Sequence, residues 1–305
     1  MIRRSVMSQS SPQCLIVGAS GFIGRRLVQR FALGGAMVDA WSRTAAPEFK
    51  SSGTVRWRSV DLRAPGDLPP APEGGWDCVM HFAGHSRPRQ TNAHTDVLDT
   101  TRMLSRVLHH IERVSPRARF LFNSSGHVYA PASTPRDEEA PTYPHSAYAL
   151  SKLLCETLVQ ERSDRLHVVV VRAFNLLGPG MPQGLLVPDF LRTLSTGSTQ
   201  IAMAGSNSWR DFLDLRDAVD AYYALASVPC ASGAVFNLCS GRASRVAELL
   251  SAIAAARGIA AQLSFRDSTE EHLLGDPSRL CAATGWAPRR SLSDAAASIA
   301  GALDG

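Results

Sequence analysis

Short apolar runs alternate with longer segments of helical periodicity along the first half of the chain. The runs predict buried strands at 14–17, 36–41, 55–60, 78–82, 120–123 and 167–171. Apolar residues at helical spacing predict helices at 22–33, 95–113 and 147–161. Because alternating strands and helices build parallel sheets, this order predicts an α/β fold: a Rossmann-type, doubly wound parallel sheet with helices on both faces.

The pattern loosens after residue 174, where apolar pieces alternate with short helical segments such as 217–226 and 245–256. Open α/β sheets bind ligands at the carboxyl ends of their strands, so a smaller lobe is expected over that edge. The predicted division is a disordered leader at 1–12, a cofactor-binding Rossmann domain at 13–174 plus about 207–236, and a C-terminal substrate lobe at 175–206 and 237–305.

A glycine-rich turn, Gly18-Ala19-Ser20-Gly21-Phe22-Ile23-Gly24, lies between the first predicted strand and the first predicted helix. Gly18 allows the tight turn, Gly21 lets the backbone approach a pyrophosphate, and Gly24 permits close packing of helix on strand. The helix N-terminus itself attracts phosphate. We therefore predict a dinucleotide cofactor held by Gly18, Ser20, Gly21, Phe22, Ile23 and Gly24.

The end of the second predicted strand indicates which dinucleotide binds. In NAD-binding sheets, an acidic residue about 20 residues after the turn hydrogen-bonds the ribose 2′-hydroxyl. That position is Ser42 here, Arg43 follows it, and the nearest acid, Asp39, lies inside the strand. A hydroxyl and a guanidinium attract a 2′-phosphate, so the sequence predicts NADP, with NAD possible. The alternative is that Arg43 is a solvated surface residue.

Two further strand ends face the expected cofactor. Asp61 and Leu62 follow the third strand and are candidates to clamp the adenine edge; equally, they fit a helix N-cap and a core leucine. The fourth strand ends in His81-Phe82-Ala83-Gly84. We expect Phe82, Ala83 and Gly84 to line the cofactor site and His81 to be structural.

Tyr148 and Lys152 are the candidate catalytic pair. Residues four apart share one face of a helix, so the ammonium lies near the phenol. A free phenol has a pKa near ~10, and a neighbouring cation together with a positive nicotinamide favours phenolate. Ser124 and Ser125, at the end of the fifth strand, can polarise the same substrate oxygen, although simple turn chemistry is the alternative.

Composition narrows the class of protein further. The net charge of +5 comes from 32 scattered basic residues, so no nucleic-acid partner is expected, and the small positive excess suits an anionic substrate. Apolar runs fall short of the ~20 residues that span a bilayer, so no membrane association is expected. The six cysteines form no C-x-x-C pair, which predicts no metal site and a cytoplasmic protein.

Together these residues closely resemble the extended short-chain dehydrogenase/reductase family, the NAD(P)-dependent sugar epimerase/dehydratase group. The resemblance rests on the motifs GASGFIG, HFAG, SSGHVY, YALSK, RAFNLLGPG, WRDFLDLRDAV and GDPSRL…TGWAP. It implies a triad of Ser125, Tyr148 and Lys152, a phosphate-binding Arg210, and an Asn175 near a nucleotide-diphospho-sugar. It also implies a homodimer formed through the helices at 94–113 and 148–161, with Leu98, Met103, Leu104 and Val107 available for the interface or for the chain's own core.

Within the family, the second half is most similar to GDP-6-deoxy-4-ketohexose reductases. Such reductases carry a diphosphate-binding arginine before their Gly-Asp, where this chain reads Ser268-Thr269-Glu270-Glu271-His272; the nearest arginine is Arg266. This departure weakens the case for the same nucleotide.

The same resemblance separates the candidate reactions. Dehydratases carry Asp-Glu where this chain has Gly126 and His127, so dehydration is not expected. Ser42-Arg43 favours an NADPH-dependent reductase of a nucleotide-diphospho-4-keto-6-deoxyhexose, with Tyr148 as the general acid. The alternatives are a 4-epimerase with tightly bound NAD and a non-catalytic NADP sensor.

Overall fold

The computed structural model describes residues 11–44, 53–84, 93–197, 200–203, 208–265 and 271–302. Its strands are β1 (Gln13–Val17), β2 (Met37–Ser42), β3 (Val55–Ser59), β4 (Cys78–His81), β5 (Arg119–Ser125), β6 (His167–Ala173), β7 (Asn175–Leu177), β8 (Gln200–Met203), β9 (Trp209–Asp214), β10 (Ala234–Leu238), β11 (Ala243–Arg245), β12 (Gln262–Phe265) and β13 (His272–Leu273). Its helices are α1 (Gly24–Leu33), α2 (Ala93–Val114), α3 (Ala147–Gln160), α4 (Leu186–Leu194), α5 (Leu215–Leu225), α6 (Val246–Ala256), α7 (Ser278–Thr284) and α8 (Leu292–Gly301).

Seven parallel strands form the central sheet in the order β10-β6-β5-β4-β1-β2-β3. The strand order reverses between β1 and β4, which is where doubly wound sheets bind their ligands. The predicted fold class is confirmed, and each of the six predicted strands is present within two residues of its predicted ends. The last strand of the sheet, β10, comes from the second half of the chain and pairs with β6.

Alternation along the strands gives the sheet an apolar layer on each face. In β1, Cys14 and Ile16 point into one core, whereas Leu15 and Val17 point into the other, as the period of a strand requires. Helices α1 and α5 cover the first face through residues such as Leu27 and Tyr222. Helices α2 and α3 cover the second face, so α3 lies against the carboxyl half of β5 and β6.

A separate apolar cluster forms the core of a smaller unit built from the second half of the chain. It joins α4, α6 and α8 through Val187, Phe190, Leu249, Ile253 and Ala296. Beside it, β9 pairs with β7, β11 and β13, while β8 pairs with β12. Because β7 directly follows β6 and β9 leads into α5, this small sheet lies beside the carboxyl ends of the central strands.

The first helix starts later than predicted, and most of the predicted leader lies outside the described residues. The first helix begins at Gly24 rather than at residue 22, because residues 18–23 are used by the turn, in which Gly21 N–H donates to the Gly18 carbonyl over 3.0 Å. The leader at 1–12 lies almost entirely outside the described residues. Within the ranges that the structure describes, no helix is both long and apolar enough to cross a membrane.

Candidate active site

The glycine turn is packed too tightly for side chains at two of its positions. Gly18 has a φ of +86°, and a Cβ there would lie 2.8 Å from the Ala83 nitrogen and 2.9 Å from the Phe82 carbonyl carbon. A Cβ on Gly24 would overlap the carbonyl oxygen of Gly18. The turn therefore brings the α1 N-terminus close to the ends of β1 and β4, leaving Ser20 and Gly21 exposed. Such a cradle fits the pyrophosphate of a dinucleotide.

The neighbouring strand β2 supports the turn with its backbone. The carbonyl oxygen of Trp41 accepts hydrogen bonds from the N–H groups of Gly18 and Ala19, at 2.9 and 3.0 Å. Phe22 and Ile23 are half-buried and pack on the core beneath α1. All six residues predicted to hold the cofactor's phosphates are thus in one turn at the point where the strand order reverses.

At the end of β2, Ser42 and Arg43 have different surroundings. Ser42 is buried, and its hydroxyl donates to the carbonyl of Thr44 over 2.5 Å, while Arg43 is exposed. Asp39 is unable to replace the missing acid, because its buried carboxylate accepts from Trp76 Nε1 over 2.9 Å and lies 3.6 Å from Arg58. Among the residues predicted for the ribose, Arg43 is therefore the one free to reach a ligand.

Asp61 and Leu62 form a turn rather than the start of a helix. Asp61 accepts from the backbone N–H of Arg63 at 3.0 Å and from its guanidinium at 3.3 Å. Its pKa is lowered by these hydrogen bonds and by the charges of Arg63 and Arg43. Leu62 is buried in the core, and its carbonyl accepts from Arg106 at 2.9 Å. Asp61 remains exposed just after β3.

Phe82 and Ala83 follow β4 and are half-buried, and Phe82 contacts Tyr222 edge-on at 5.1 Å between ring centroids. Gly84 is exposed, with a φ of +148°.

His81 is buried between Phe120 and Phe122, and neither ring nitrogen has a hydrogen-bond partner among the described residues. Burial, followed by the charge of Lys152, lowers the pKa of His81 to about 3, so its ring is neutral.

Tyr148 and Lys152 lie one turn apart on α3, which is capped by Ser146 accepting from Ala149 N–H at 3.1 Å. Lys152 is buried, and its Nζ donates to the carbonyl of Asn123 over 2.7 Å. The same Nζ atom lies 5.9 Å from the Tyr148 ring centroid. Tyr148 is only half-buried. The pair thus has a fixed cation beneath a phenol that remains accessible.

The two serines at the end of β5 have different surroundings. Ser125 Oγ accepts from the backbone N–H of His127 at 3.2 Å and caps the short turn Gly126–Val128. Ser124 is buried, and its hydroxyl donates to Glu156, which also pairs with Arg172 at 2.8 Å. Both serines are buried, but Ser125 caps a short turn that contacts α3, whereas Ser124 belongs to a network that ties β5, α3 and β6 together.

Arg210 and Asn175 lie on adjacent strands of the small sheet. Asn175 Nδ2 donates to the carbonyl of Asp211 at 2.9 Å. Arg210 pairs with Glu271 at 2.6 Å, not with Asp211 or Asp214, the neighbouring acids in the sequence. Of the segment predicted to depart from related reductases, Glu271 and His272 are described, and residues 266 and 268–270 lie outside the described residues.

His127 lies beside Tyr148 and feels the charge of Arg210, and sequence reasoning considered it only as a missing carboxylate. Its ring lies edge-on to Tyr148 at 6.1 Å between centroids and 6.3 Å from the ring of His145. Burial, then the charges of Arg210 and His145, lowers its pKa to about 4. The motif SSGHVY contained this residue, but nothing in a linear pattern indicates that it faces Tyr148.

Arg25 is a second residue that sequence reasoning missed. It is the second residue of α1, and its Nη2 donates to the carbonyl of Gly180 at 2.8 Å. The glycine turn is thereby linked to the loop after β7. In the part of the chain that the structure describes, no group of three or more His, Cys, Asp or Glu side chains is arranged to hold a metal ion.

Comparison with known proteins identifies the class. Residues 14–239 match the model of the NAD dependent epimerase/dehydratase family. GDP-6-deoxy-D-mannose reductase of Pseudomonas aeruginosa is 28% identical over 304 residues, covering 93% of this chain and 94% of that protein. The structure of RMD from Pseudomonas aeruginosa complexed with NADPH has a TM-score of 0.76 at 24% identity, covering 96% of this chain and 99% of the other.

The same fold also occurs in an epimerase. UDP-glucuronic acid 4-epimerase from Bacillus cereus, in complex with UDP-glucuronic acid and NAD, has a TM-score of 0.85 at 18% identity, with 96% of this chain and 99% of that chain covered. Because the family match spans most of the sequence, the chain belongs to the NAD dependent epimerase/dehydratase family. It is an NAD(P)-dependent oxidoreductase of the extended short-chain dehydrogenase/reductase class, which confirms the predicted family and class of enzyme.

Proposed function

We propose that this enzyme is an NADPH-dependent reductase of a nucleotide-diphospho-4-keto-6-deoxyhexose. The observation that carries the proposal is the placement of Lys152. Its Nζ is fixed on the Asn123 carbonyl and lies beneath the accessible ring of Tyr148. A buried cation beside a phenol is the arrangement that tunes a tyrosine for proton transfer. The pair lies near the edge where the glycine turn offers a dinucleotide cradle.

NADP is favoured as the cofactor by the end of β2. The turn at Gly18–Gly24 would hold the pyrophosphate, Phe82, Ala83 and Gly84 would line the site, and Asp61 and Leu62 would border the adenine. Arg43 is exposed at the position where a 2′-phosphate needs a cation, while Asp39 is committed to Trp76 and Arg58. A relative of similar sequence is a reductase, and RMD is complexed with NADPH.

In the proposed mechanism, Tyr148 acts as the general acid. Ser125 and Tyr148 hydrogen-bond the 4-keto oxygen and orient the carbonyl. Bound NADPH supplies the hydride that adds to the carbonyl carbon. Tyr148 gives its proton to the oxygen as negative charge develops there, so the ketone becomes an alcohol. Lys152 stabilises the phenolate that remains on Tyr148 and is the residue that would hold the nicotinamide ribose.

The substrate's diphosphate is assigned to Arg210 and its sugar region to Asn175. A guanidinium offers paired donors that match phosphate oxygens. Arg210 lies on β9 close enough to His127 to lower that residue's pKa, and His127 contacts Tyr148. We therefore expect the diphosphate at Arg210 and the reacting carbonyl at Tyr148 to lie on either side of His127. Ser124, held by Glu156, supports Ser125 rather than touching the sugar.

Two proposals concern the molecule as a whole. The first is the division into a cofactor domain at 13–174 with about 207–236 and a substrate lobe at 175–206 and 237–305. The separate core of α4, α6 and α8 supports it, whereas Leu280 and Trp286 of the proposed lobe pack in the core of the central sheet. The second is a homodimer through α2 and α3. Met103, Leu104 and Val107 are buried in the chain's own core, but Leu98, Leu150 and Leu154 are exposed on these two helices.

The test is to mix the enzyme with NADPH and GDP-, UDP- or dTDP-linked 4-keto-6-deoxyhexoses while following absorbance of the reduced cofactor. Oxidation of NADPH in an amount equal to the amount of sugar reduced supports a reductase. A protein that purifies with NAD and interconverts 4-hydroxyl epimers without net cofactor change is instead the 4-epimerase. Cofactor binding without turnover of any of the three sugars indicates the sensor.

A further inference from the structure

Arg210, the centre of the proposed diphosphate subsite, already has an ionic partner. Its Nη2 atom lies 2.6 Å from Oε2 of Glu271. The Arg210 side chain is largely covered, with 18% of its surface exposed, whereas the Glu271 side chain is 64% exposed. Glu271 therefore reaches Arg210 from the solvent side, which is also the side from which a ligand must approach a covered guanidinium.

The backbone beneath Glu271 is held firmly. Trp209 N–H donates to the Glu271 carbonyl over 2.8 Å, and the next residue begins β13, which pairs with β9. Arg136 Nη2 donates to the carbonyl of His272 at 3.0 Å. The exposed side chain of Glu271 can consequently rotate away from Arg210 while its backbone stays in place.

Within the described ranges, Glu271 is the acid that pairs with Arg210. The carboxylate of Asp211 is committed elsewhere, because it accepts from the N–H groups of Ser240 and Gly241 at 2.6 and 2.7 Å. His127 is neutral at neutral pH, since burial and then Arg210 and His145 lower its pKa to about 4. The hydrogen bond from Arg210 lowers the pKa of Glu271, so its carboxylate is charged.

We propose that Glu271 sets the affinity of the diphosphate subsite by competing with phosphate for the guanidinium of Arg210. The inference rests on the proposed function, in which Arg210 binds the diphosphate. A carboxylate and a phosphate oxygen use the same donors, so Glu271 must leave when the ligand arrives. Its nearby charge also repels the bound anion. Every ligand that uses Arg210 must therefore displace Glu271, so this carboxylate lowers the affinity of the subsite for nucleoside diphosphates.

The size of the effect follows from the exposure of Glu271. Solvent-exposed ion pairs are weak, so the contact is readily broken by a ligand. Loss of the competing charge and of its repulsion should tighten nucleoside diphosphate binding by about three- to tenfold.

The experiment is calorimetric titration of GDP, UDP and dTDP into the wild type and three single variants. Glu271→Gln removes the competing charge, and Arg210→Ala removes the site. Asp220→Asn is the matched control, because it breaks an exposed pair with Arg30 on the far helices α1 and α5. We expect Glu271→Gln to lower Kd by about three- to tenfold, Asp220→Asn to match the wild type, and neither to change Tm appreciably.

The double variant Arg210→Ala/Glu271→Gln separates competition from a general charge effect. If Glu271 acts through Arg210, its removal gains nothing once Arg210 is absent. Weaker binding in Arg210→Ala with no gain in Glu271→Gln overturns this inference and leaves the proposed function standing. If Arg210→Ala binds all three nucleotides as the wild type does, or if no variant binds any of them, the diphosphate subsite and the inference both fail.

Discussion

At the scale of single residues, we expect the choice between NADPH and NADH to depend on Arg43. Asp39 lies near the position of the ribose-binding acid of NAD-binding sheets, but Trp76 and Arg58 hold its carboxylate inside the sheet. A charge-assisted contact to a 2′-phosphate contributes about 1.5–3 kcal/mol. Arg43→Ala should therefore weaken NADPH binding by about ten- to a hundredfold and change NADH binding little. Titration of both cofactors checks this.

The matched control for Arg43 is Arg117→Ala, which removes an exposed arginine just before β5, at the opposite edge of the sheet. It should leave both affinities unchanged. Equal losses of NADPH and NADH affinity in Arg43→Ala, or a wild type that prefers NADH, would show that Arg43 is a solvated surface residue.

His81 makes the fold sensitive to acid. Folding lowers its pKa from an ordinary value near ~6.5 to about 3, mainly by burial. The unfolded chain therefore binds a proton at a higher pH than the folded chain does. The contribution of neutral His81 to the free energy of unfolding is fully present above pH ~6.5. It is lost as the pH falls towards 3, at up to about 1.4 kcal/mol per pH unit.

Urea denaturation between pH 7.5 and 4 measures this contribution. His81→Leu should lose less stability than the wild type over that range, because the buried group that resists protonation is gone. Parallel pH profiles for the two proteins would contradict the assignment.

At the scale of elements, a buried ion pair fixes α3 against the sheet. Glu156 on α3 pairs with Arg172 on β6 at 2.8 Å and accepts from Ser124 on β5. Breaking such a pair leaves an uncompensated buried charge, which costs about 3–5 kcal/mol. Arg172→Ala should lower the free energy of unfolding by that amount, as measured by urea denaturation.

The exposed pair between Arg192 and Asp189 on α4 provides the control for Arg172. Arg192→Ala should change stability by less than about 0.5 kcal/mol. A similarly small change in Arg172→Ala would mean that the buried pair does not hold α3 in place.

Six of the seven central strands could be predicted, most of them because they are short apolar runs ending in glycine or polar residues, whereas β10, from the second half of the chain, was not predicted. The site motifs could be predicted because the turn at Gly18–Gly24 and the pair Tyr148–Lys152 are local in sequence. Ion-pair partners that are distant in sequence could not be predicted. Arg210 and Glu271 lie 61 residues apart, and β13, which brings them together, is a strand of two residues with no periodicity to detect. Asp61 accepts from the Arg63 N–H as an N-cap would, but a turn follows it in place of a helix, which the local pattern did not indicate.

At the scale of the whole molecule, the proposed dimer can be tested through its leucines. Leu98 is 63% exposed on α2, and Leu154 is 41% exposed on the adjacent α3. A charged side chain buried at the centre of an apolar interface lacks a partner, so Leu98→Arg/Leu154→Arg should convert a dimer to a monomer. Sedimentation equilibrium measures the change.

Leu33→Arg is the control for the dimer, because Leu33 is 87% exposed at the end of α1, away from both helices. It should leave the mass of the assembly unchanged. A wild type that sediments as a monomer, or a double variant that remains a dimer, would reject α2 and α3 as the interface.

Isotope transfer tests the central claim of NADPH-dependent sugar reduction most directly. The enzyme is given NADPH deuterated at the transferable position and a nucleotide-linked 4-keto-6-deoxyhexose, and the product sugar is analysed by mass spectrometry. The wild type should yield an alcohol that carries deuterium at carbon 4, and Tyr148→Phe should form it ~10²- to 10⁴-fold more slowly while still binding NADPH. A product without deuterium, or turnover by Tyr148→Phe within about threefold of the wild type, would contradict the account, since loss of the acid alone should cost far more.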